Sequence, residues 1–262
     1  MILRRFSESL KYQNWTAIAI EFVLLVAGVF LGIQVSNWNA AREDALLGED
    51  YVRRLRIDLN NDLAAMQAQV AYYTEVLNAI KQTDTLLQAT DADPRTLVIS
   101  AYRATEISYH PPTQATWQQI VSSGHLGLLP KGTVEGGLAA YYSFNTGDDI
   151  YKTLRVSAYR ESVRDVIPML IQEAMRADCS DKLDERSYAF GFTNTCALDV
   201  EPTLLLSTAE ALQHDADVAK TLRSQYSVVA SALPNFRATI KQIEVSLAAL
   251  QSADKTDKAA GK

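Results

Sequence analysis

The sequence predicts an all-α protein. We expect one N-terminal transmembrane helix that continues into an antiparallel bundle of long, heptad-patterned helices joined by short connecting helices. Three observations indicate this fold: a long apolar run at 16–35, later stretches with apolar residues every three or four positions, and few turn formers, with 11 glycines and 7 prolines in 262 residues. So few turn formers argue against an all-β fold.

The apolar run is long enough to cross a membrane. No charged residue occurs from 22 to 41, and about 20 helical residues span a hydrocarbon core of about 30 Å. A cleavable signal peptide is the alternative, but its apolar core is shorter and ends at a small-residue cleavage site, which this run lacks. We therefore expect an uncleaved transmembrane helix at 16–36, with Trp15 and Trp38 as anchors at the two interfaces.

The basic residues around this run predict its orientation. Three precede it, namely Arg4, Arg5 and Lys11. Only Arg42 follows closely. The positive-inside rule places residues 1–15 in the cytoplasm and a bundle at 37–251 outside it. In a bacterium, this means a single-pass protein of the inner membrane with a periplasmic C-terminal domain.

One face of the predicted transmembrane helix combines a carboxyl group with two glycines. Glu21, Leu25, Gly28 and Gly32 are spaced by four, three and four residues, so they share a face. A Gly-x-x-x-Gly pair lets two helices approach closely, and a protonated carboxyl can hydrogen-bond to a neighbour. We expect this face to bind a second copy or another membrane protein. Alternatively, Glu21 has no functional role, and its side chain reaches the lipid headgroups or stays protonated.

Charge and cysteine content narrow the function classes. The formal net charge is −6 without a basic stripe, which argues against nucleic-acid binding.

Cys179 and Cys196 would close an 18-residue loop as a disulfide, which the chain-entropy model values at about 3 kcal/mol. The expected periplasmic location favours the bond over two free thiols.

Three long helices are expected after the membrane segment. The first, at about 40–89, has a seam with a mean step near 3.5 residues, formed by Val52, Leu55, Leu59, Leu63, Met66, Val70, Tyr73, Leu77, Ile80 and Leu87. The second runs from 148 to about 177, and the third carries a seam from 222 to 250. Pro168 and Pro234 should kink the last two. Several seams in one chain favour packing within the chain over an intermolecular coiled coil.

Shorter helices are expected between the long ones, at 96–107, 113–123, 133–144 and from a capping box at 207–210. Gly124 should end the second of these. A cluster of Trp117, Leu126, Leu128 and Leu129 is expected in the core. No strand is expected, and the polar segment 252–262 should be a disordered tail.

Two stretches of the sequence resemble a known family. They are IAIEFVLLVAGVFLGIQVSNWNAARED followed by YVRRLRIDL, and TWQQIVSSGHLGLLP followed by Ala-Tyr-Tyr at 140–142. They are similar to the DUF6090 group, a bacterial family of single-pass membrane proteins, and cover about a quarter of the chain. The family usually has Gly-Glu where this chain has Ile20-Glu21, and Asn-Asn-Trp-Asn where it has Val35-Ser36-Asn37-Trp38-Asn39. The resemblance implies a bacterial membrane anchor and no transferable activity.

No motif points to catalysis. His110, His125 and His214 have no ligand partner at metal-binding spacing, and phosphate-loop and dinucleotide motifs are absent. We therefore expect no catalytic, cofactor or metal residues, and a membrane-anchored scaffold, assembly or ligand-sensing subunit whose partners are the bilayer and a membrane protein or second copy. One alternative is a proton-coupled accessory subunit that uses Glu21. Another is an enzyme with a site assembled across the bundle.

Overall fold

The computed structural model describes residues 15–143, 146–183, 190–193 and 196–259 of the 262-residue chain. It divides into two compact units, 1–50 and 51–262. Helices dominate the described residues, and the only strands there are two of two residues each. The predicted all-α class is confirmed.

The first unit is helical throughout residues 15–50, which belong to helix α1 (Trp15–Gln88). Every side chain described from Ile18 to Leu46 is exposed, and Phe22 exposes 67% of its surface. By length and composition, α1 is the one helix among the described residues that could cross a membrane. The two helices expected at 16–36 and 40–89 are one helix, which ends one residue before the expected position.

The second unit holds the core. Its elements are the rest of α1, α2 (Pro94–Arg103), α3 (Ala115–Ser122), a 3-10 turn (His125–Leu128), a π-helical turn (Val134–Leu138), α4 (Ala139–Ser143), α5 (Thr146–Arg155), α6 (Ala158–Val166), α7 (Met169–Asp178), β1 (Lys182–Leu183), β2 (Phe190–Gly191), α8 (Pro202–His214) and α9 (Ala216–Ala259).

Helices α1 and α9 pack antiparallel. The rings of Tyr73 and Phe236 lie 5.3 Å apart between centroids, while Ile80, further along α1, shares a groove with Leu222, which is earlier in α9. Helix α2 packs against α8, and α6 packs against α9. The predicted antiparallel arrangement of long helices is thus what the second unit shows.

The buried stripe of α1 includes polar residues. Asp62, Gln69 and Thr83 are buried, although the seam prediction counted only apolar positions. Asp62 accepts hydrogen bonds from Thr113, and the Thr83 hydroxyl donates to a carbonyl of its own helix, 2.8 Å away. The seam expected from 222 to 250 includes Tyr226 as an inward position, but on α9 Tyr226 is exposed and Gln225 beside it is buried.

The helix expected at 148–177 is wrong as one element, because three helices, α5, α6 and α7, occupy it. Ser157 begins α6 by accepting a hydrogen bond from the Arg160 amide at 3.2 Å. Pro168 lacks an N–H group and favours an extended residue before it, so Ile167 adopts φ −77° and ψ 118° and ends α6. Pro234, by contrast, lies inside the unbroken α9.

Several shorter predictions also need correction. Helix α8 begins at Pro202, so the expected capping box at 207–210 lies inside it, and Ser207 donates to Leu204. The helix expected to begin at 96 begins at Pro94, and Asp93 caps it. One antiparallel strand pair, β1 with β2, exists where no strand was expected.

Two more expectations changed at the ends of elements. Gly124 follows α3 with φ +72°, as a helix-ending glycine should. Helix α9 continues to Ala259, whereas 252–262 was expected to be a tail; residues 260–262 lie outside the described residues. In the expected core cluster, Leu129 is buried but Leu126 is exposed. The segment at 133–144 is a π-helical turn and α4, and Phe144 is outside the described residues.

Candidate functional site

A polar cavity of about 180 Å³ lies within the second unit, where the end of α2 meets α6 and the end of α7. We call it the arginine cavity. Its charged lining consists of Arg103, Arg160, Arg164, Arg176, Glu106 and Asp181. Arg103 is buried, Arg160 and Arg164 are half-buried and Arg176 is exposed, and burying a charge without a partner is costly. The contacts of each group show how the fold tolerates it.

Arg103 is the most buried of these groups, with only 5% of its side chain exposed. Its Nη2 atom lies 2.7 Å from Asp181 Oδ1, and its Nη1 atom donates to the Cys179 carbonyl at 3.1 Å. Its Cζ atom also lies 3.5 Å from the ring centroid of Phe192, in a cation–π contact. Arg103 therefore binds several groups of the segment between the cysteines at once.

Tyr72 of α1 is a second side chain that binds Asp181. Its hydroxyl donates to Asp181 Oδ2 at 2.6 Å. Burial, with the nearby Glu106 and Asp181 carboxylates, raises the pKa of Tyr72 far above its ordinary value, so the hydroxyl keeps its proton. Asp181 thus accepts three hydrogen bonds, from Arg103 and the Thr193 amide on Oδ1 and from the Tyr72 hydroxyl on Oδ2.

Arg164 also lines the cavity, and its guanidinium stacks on an aromatic ring. Its Cζ atom is 3.4 Å from the ring centroid of Tyr102, and its Nη2 atom donates to Thr105 Oγ1 at 2.7 Å. It also lies 3.4 Å from Glu106 Oε1. Burial lowers the pKa of Arg164 from its ordinary value, although Tyr102 and Glu106 counter the shift.

Arg160 lies one turn before Arg164 on α6. Its Nη1 atom donates to the Thr105 carbonyl at 2.5 Å. This is the single hydrogen bond of its guanidinium group among the parts of the chain that the structure describes, so most of its five side-chain donors remain available to a ligand. Arg176, on the last turns of α7, is exposed at the rim of the cavity.

Glu106 is the second carboxylate of the cavity. Its side chain is 20% exposed. Burial raises the pKa of Glu106, and the negative charge of Asp181 adds to the rise, while Arg164 acts in the opposite direction. The cavity thus contains a carboxylate that gives up its proton less readily than an exposed glutamate.

A disulfide joins Cys179 to Cys196, with Cα atoms 4.9 Å apart. It closes the segment that supplies Asp181 and Phe192 to the arginine cavity. Thr193 reinforces this segment, since its hydroxyl donates to the Ser180 carbonyl at 2.7 Å. The two cysteines singled out from the sequence therefore lie beside the most polar part of the core.

A separate buried carboxylate lies nearer the start of the second unit. Asp62 is 3% exposed and accepts hydrogen bonds from the Thr113 amide, the Thr113 hydroxyl and the Tyr141 hydroxyl, the last at 2.7 Å. Tyr142, next to Tyr141, stacks on Trp117 with ring centroids 4.9 Å apart. This arrangement ties α1 to the segment before α3 and to α4, and it is structural.

The residues predicted for the membrane face lie in the first unit. Glu21, Leu25, Gly28 and Gly32 are all exposed, and a Cβ added at either glycine would meet no atom within 4 Å. Trp38 is exposed as well. Trp15 begins α1, but its side chain lies outside the described residues. The four residues of the predicted face share this exposure with every side chain described from Ile18 to Leu46, so the helix-binding face stays a prediction.

The histidines do not form a metal site. His125 contacts Tyr51, whose hydroxyl oxygen lies 2.8 Å from His125 Nδ1, and His214 Nδ1 lies 2.6 Å from the carbonyl of Glu210. Within the described ranges, no group of three or more His, Cys, Asp or Glu side chains could hold a metal ion.

Sequence reasoning missed the arginine cavity. The signal was present in Arg160 and Arg164, which stand four residues apart and so share a face of α6. Arg103 and Glu106 are three residues apart, but the helix ends between them. A search for basic stripes on one helix could not find four arginines contributed by three separate segments.

No family model, curated protein or solved structure matches this chain. The resemblance to the DUF6090 group therefore stays a prediction from the two quoted stretches.

Proposed function

We propose that this protein is a single-pass membrane protein whose extracytoplasmic helical bundle serves as a ligand-sensing or assembly subunit, without intrinsic catalysis. The observation that carries the proposal is the exposed apolar surface of the first unit. All large apolar side chains described from Ile18 to Val35 are exposed, on every face of the helix. A helix that is apolar all round is stable in hydrocarbon but not in water.

The orientation rests on charge and on the disulfide. Three basic residues precede the apolar run and one follows it closely, which favours a cytoplasmic N-terminus. The Cys179–Cys196 bond fits an oxidising compartment, where disulfides persist. For a bacterial protein, these two observations agree on an inner-membrane anchor and a periplasmic bundle.

Membrane fractionation with a topology measurement tests this proposal. The full chain should stay in the membrane after a high-salt or alkaline wash. A cysteine introduced at Ser252, which is exposed near the end of α9, should react with an impermeant maleimide added to intact spheroplasts. A cysteine introduced at Ser7, before the run, should react only after lysis. Release by the wash, or the reverse labelling pattern, would contradict the proposal.

The partner proposal rests on the face formed by Glu21, Leu25, Gly28 and Gly32. Both glycines leave open space beside the backbone, so a second helix could approach closely there. Gly28→Leu should weaken a homo-oligomer or membrane complex measured by native mass determination in mild detergent. Val23→Leu, which lies on the opposite side of the helix, is the control and should leave the assembly intact.

A further inference from the structure

We propose that the arginine cavity binds a compact dianionic oxyanion of the phosphate type, through Arg160 and Arg176. This deepens the proposed ligand-sensing role by naming the ligand class, and it rests on that role for its biological use. The binding chemistry itself depends only on residues of the second unit.

The charge of the cavity is the first argument. Four arginines line it with two carboxylates, so the lining has a surplus of two positive charges. The two carboxylates are already paired, Asp181 with Arg103 at 2.7 Å and Glu106 with Arg164 at 3.4 Å. The surplus therefore belongs to Arg160 and Arg176, and a dianion is the ligand that balances it.

The available donors are the second argument. The Arg160 guanidinium donates one hydrogen bond, to the Thr105 carbonyl, and the Arg176 guanidinium donates none among the residues that the structure describes. A guanidinium carries five N–H donors in a fork that matches phosphate and carboxylate oxygens. The hydroxyl of the same Thr105 accepts a hydrogen bond from Arg164, so one residue holds both arginines beside each other. The cavity thus combines oriented guanidinium groups with donors left for a ligand.

The volume is the third argument. Sites for drug-sized ligands occupy about 300–1,000 Å³, whereas this cavity has about 180 Å³. It therefore admits an ion of the size of phosphate with some water, and is too small to enclose a nucleotide. Ser180 at the cavity edge offers a hydroxyl as a further donor.

The test is isothermal titration calorimetry of the full chain in detergent micelles with sodium phosphate, at fixed ionic strength. We expect saturable binding of one phosphate per chain. Arg176→Gln should weaken it about tenfold, because a charge-assisted hydrogen bond is lost. Arg176 makes no hydrogen bond that the fold needs, so this variant should keep its melting temperature. Arg160→Lys, which keeps the charge but loses the fork, should also weaken binding.

The matched control is Arg155→Gln. Arg155 is exposed at the end of α5 and does not line the cavity, so its removal changes the net charge equally but should leave phosphate binding unchanged. Equal weakening by this control would mean that general charge attracts the ion, and would overturn the proposal. Absence of phosphate binding by the folded full chain would also overturn it.

Competing ligands identify the source of the ion. Displacement of phosphate by sulfate would support recognition of a tetrahedral dianion. Tighter binding of glycerol phosphate than of phosphate would support the proposal and point to a phosphorylated small molecule or headgroup, while binding of succinate without phosphate would overturn it. The fractionation experiment can fail while phosphate still binds, and the reverse, so the two proposals fail separately.

Discussion

The Arg103 guanidinium and the Asp181 carboxylate form a buried ion pair 2.7 Å long, with 5% and 12% of their side chains exposed. The pair joins the last residue of α2 to the segment that the disulfide closes. The ion pair thus fastens two elements that are far apart in the sequence, and the disulfide closes the loop that carries Asp181. The stability of the second unit should depend on both.

Replacement of Asp181 should be strongly destabilising. Asp181→Ala leaves the Arg103 charge buried without its partner, which typically costs about 3–5 kcal/mol of unfolding free energy. Urea denaturation of the full chain in detergent measures the loss. Lys152→Gln, which breaks the exposed pair with Asp148, is the control and should change little. If the two variants lose equal stability, the buried pair has no special role.

Reduction of the disulfide should destabilise the second unit. The bond spans a sequence separation of 17 residues, for which the chain-entropy model gives about 3 kcal/mol. The denaturation midpoint should fall on addition of dithiothreitol. The Cys179→Ser, Cys196→Ser double variant should start at the lower midpoint and not respond to the reductant. A midpoint that is insensitive to reductant in the unmodified chain would contradict this prediction.

The neighbouring tyrosines of α4 should respond differently to loss of the hydroxyl. Tyr141 donates to the buried Asp62 carboxylate, so Tyr141→Phe should cost about 1.5–3 kcal/mol. The Tyr142 hydroxyl is buried without a partner among the described residues. Tyr142→Phe should therefore be neutral or slightly stabilising, and it keeps the stacking on Trp117. Thermal denaturation of the two variants measures this difference. Equal melting temperatures would mean that the contact between Tyr141 and Asp62 contributes nothing to stability.

Gly137 should not tolerate a side chain. It adopts φ +145°, and an added Cβ would lie 2.7 Å from Ser246 Oγ and 2.8 Å from Gln242 Nε2 on α9. Gly137→Ala should lower the free energy of unfolding by about 1–3 kcal/mol or more, because backbone strain and overpacking both destabilise the folded state. Gly136→Ala is the control, since its Cβ would meet Ala249 at an ordinary 3.5 Å. A similar stability of the two variants would show that α9 can move away.

The stability contributed by Glu106 should depend on pH. Burial raises the pKa of Glu106, so the folded state holds this proton more tightly than the unfolded state. Its contribution is fully present below the unfolded pKa and is lost as the pH rises through the raised folded pKa. The stability of the unmodified chain relative to Glu106→Gln should therefore fall as the pH rises above the ordinary glutamate pKa of about 4.3. Melting temperatures in phosphate-free buffers test this, with the exposed Glu161→Gln variant on α6 as control; a difference that is constant with pH would contradict it.

Periodicity and turn chemistry predicted the helices that carry strong signals. The end of α1 at Gln88 was placed to within one residue, because apolar residues recur along the whole segment before it. The split at Ser157 was missed because a serine that caps a helix and a serine inside one look alike until the neighbouring amide is located. The arginine cavity was beyond prediction because its residues meet only after α2, α6 and α7 have packed.

The buried polar residues of α1 limit how this helix can associate with other chains. Asp62, Gln69 and Thr83 occupy equivalent positions of a seven-residue repeat, with Val76 between the last two. In a parallel coiled coil of two copies, this stripe would bring two Asp62 carboxylates into the same layer without the Thr113 and Tyr141 donors that now surround each one. Such a dimer would be destabilised by the burial of two like charges without hydrogen-bond partners. The stripe therefore packs favourably against helices of its own chain but not against the same stripe of a second copy. Self-association of the protein must use another surface.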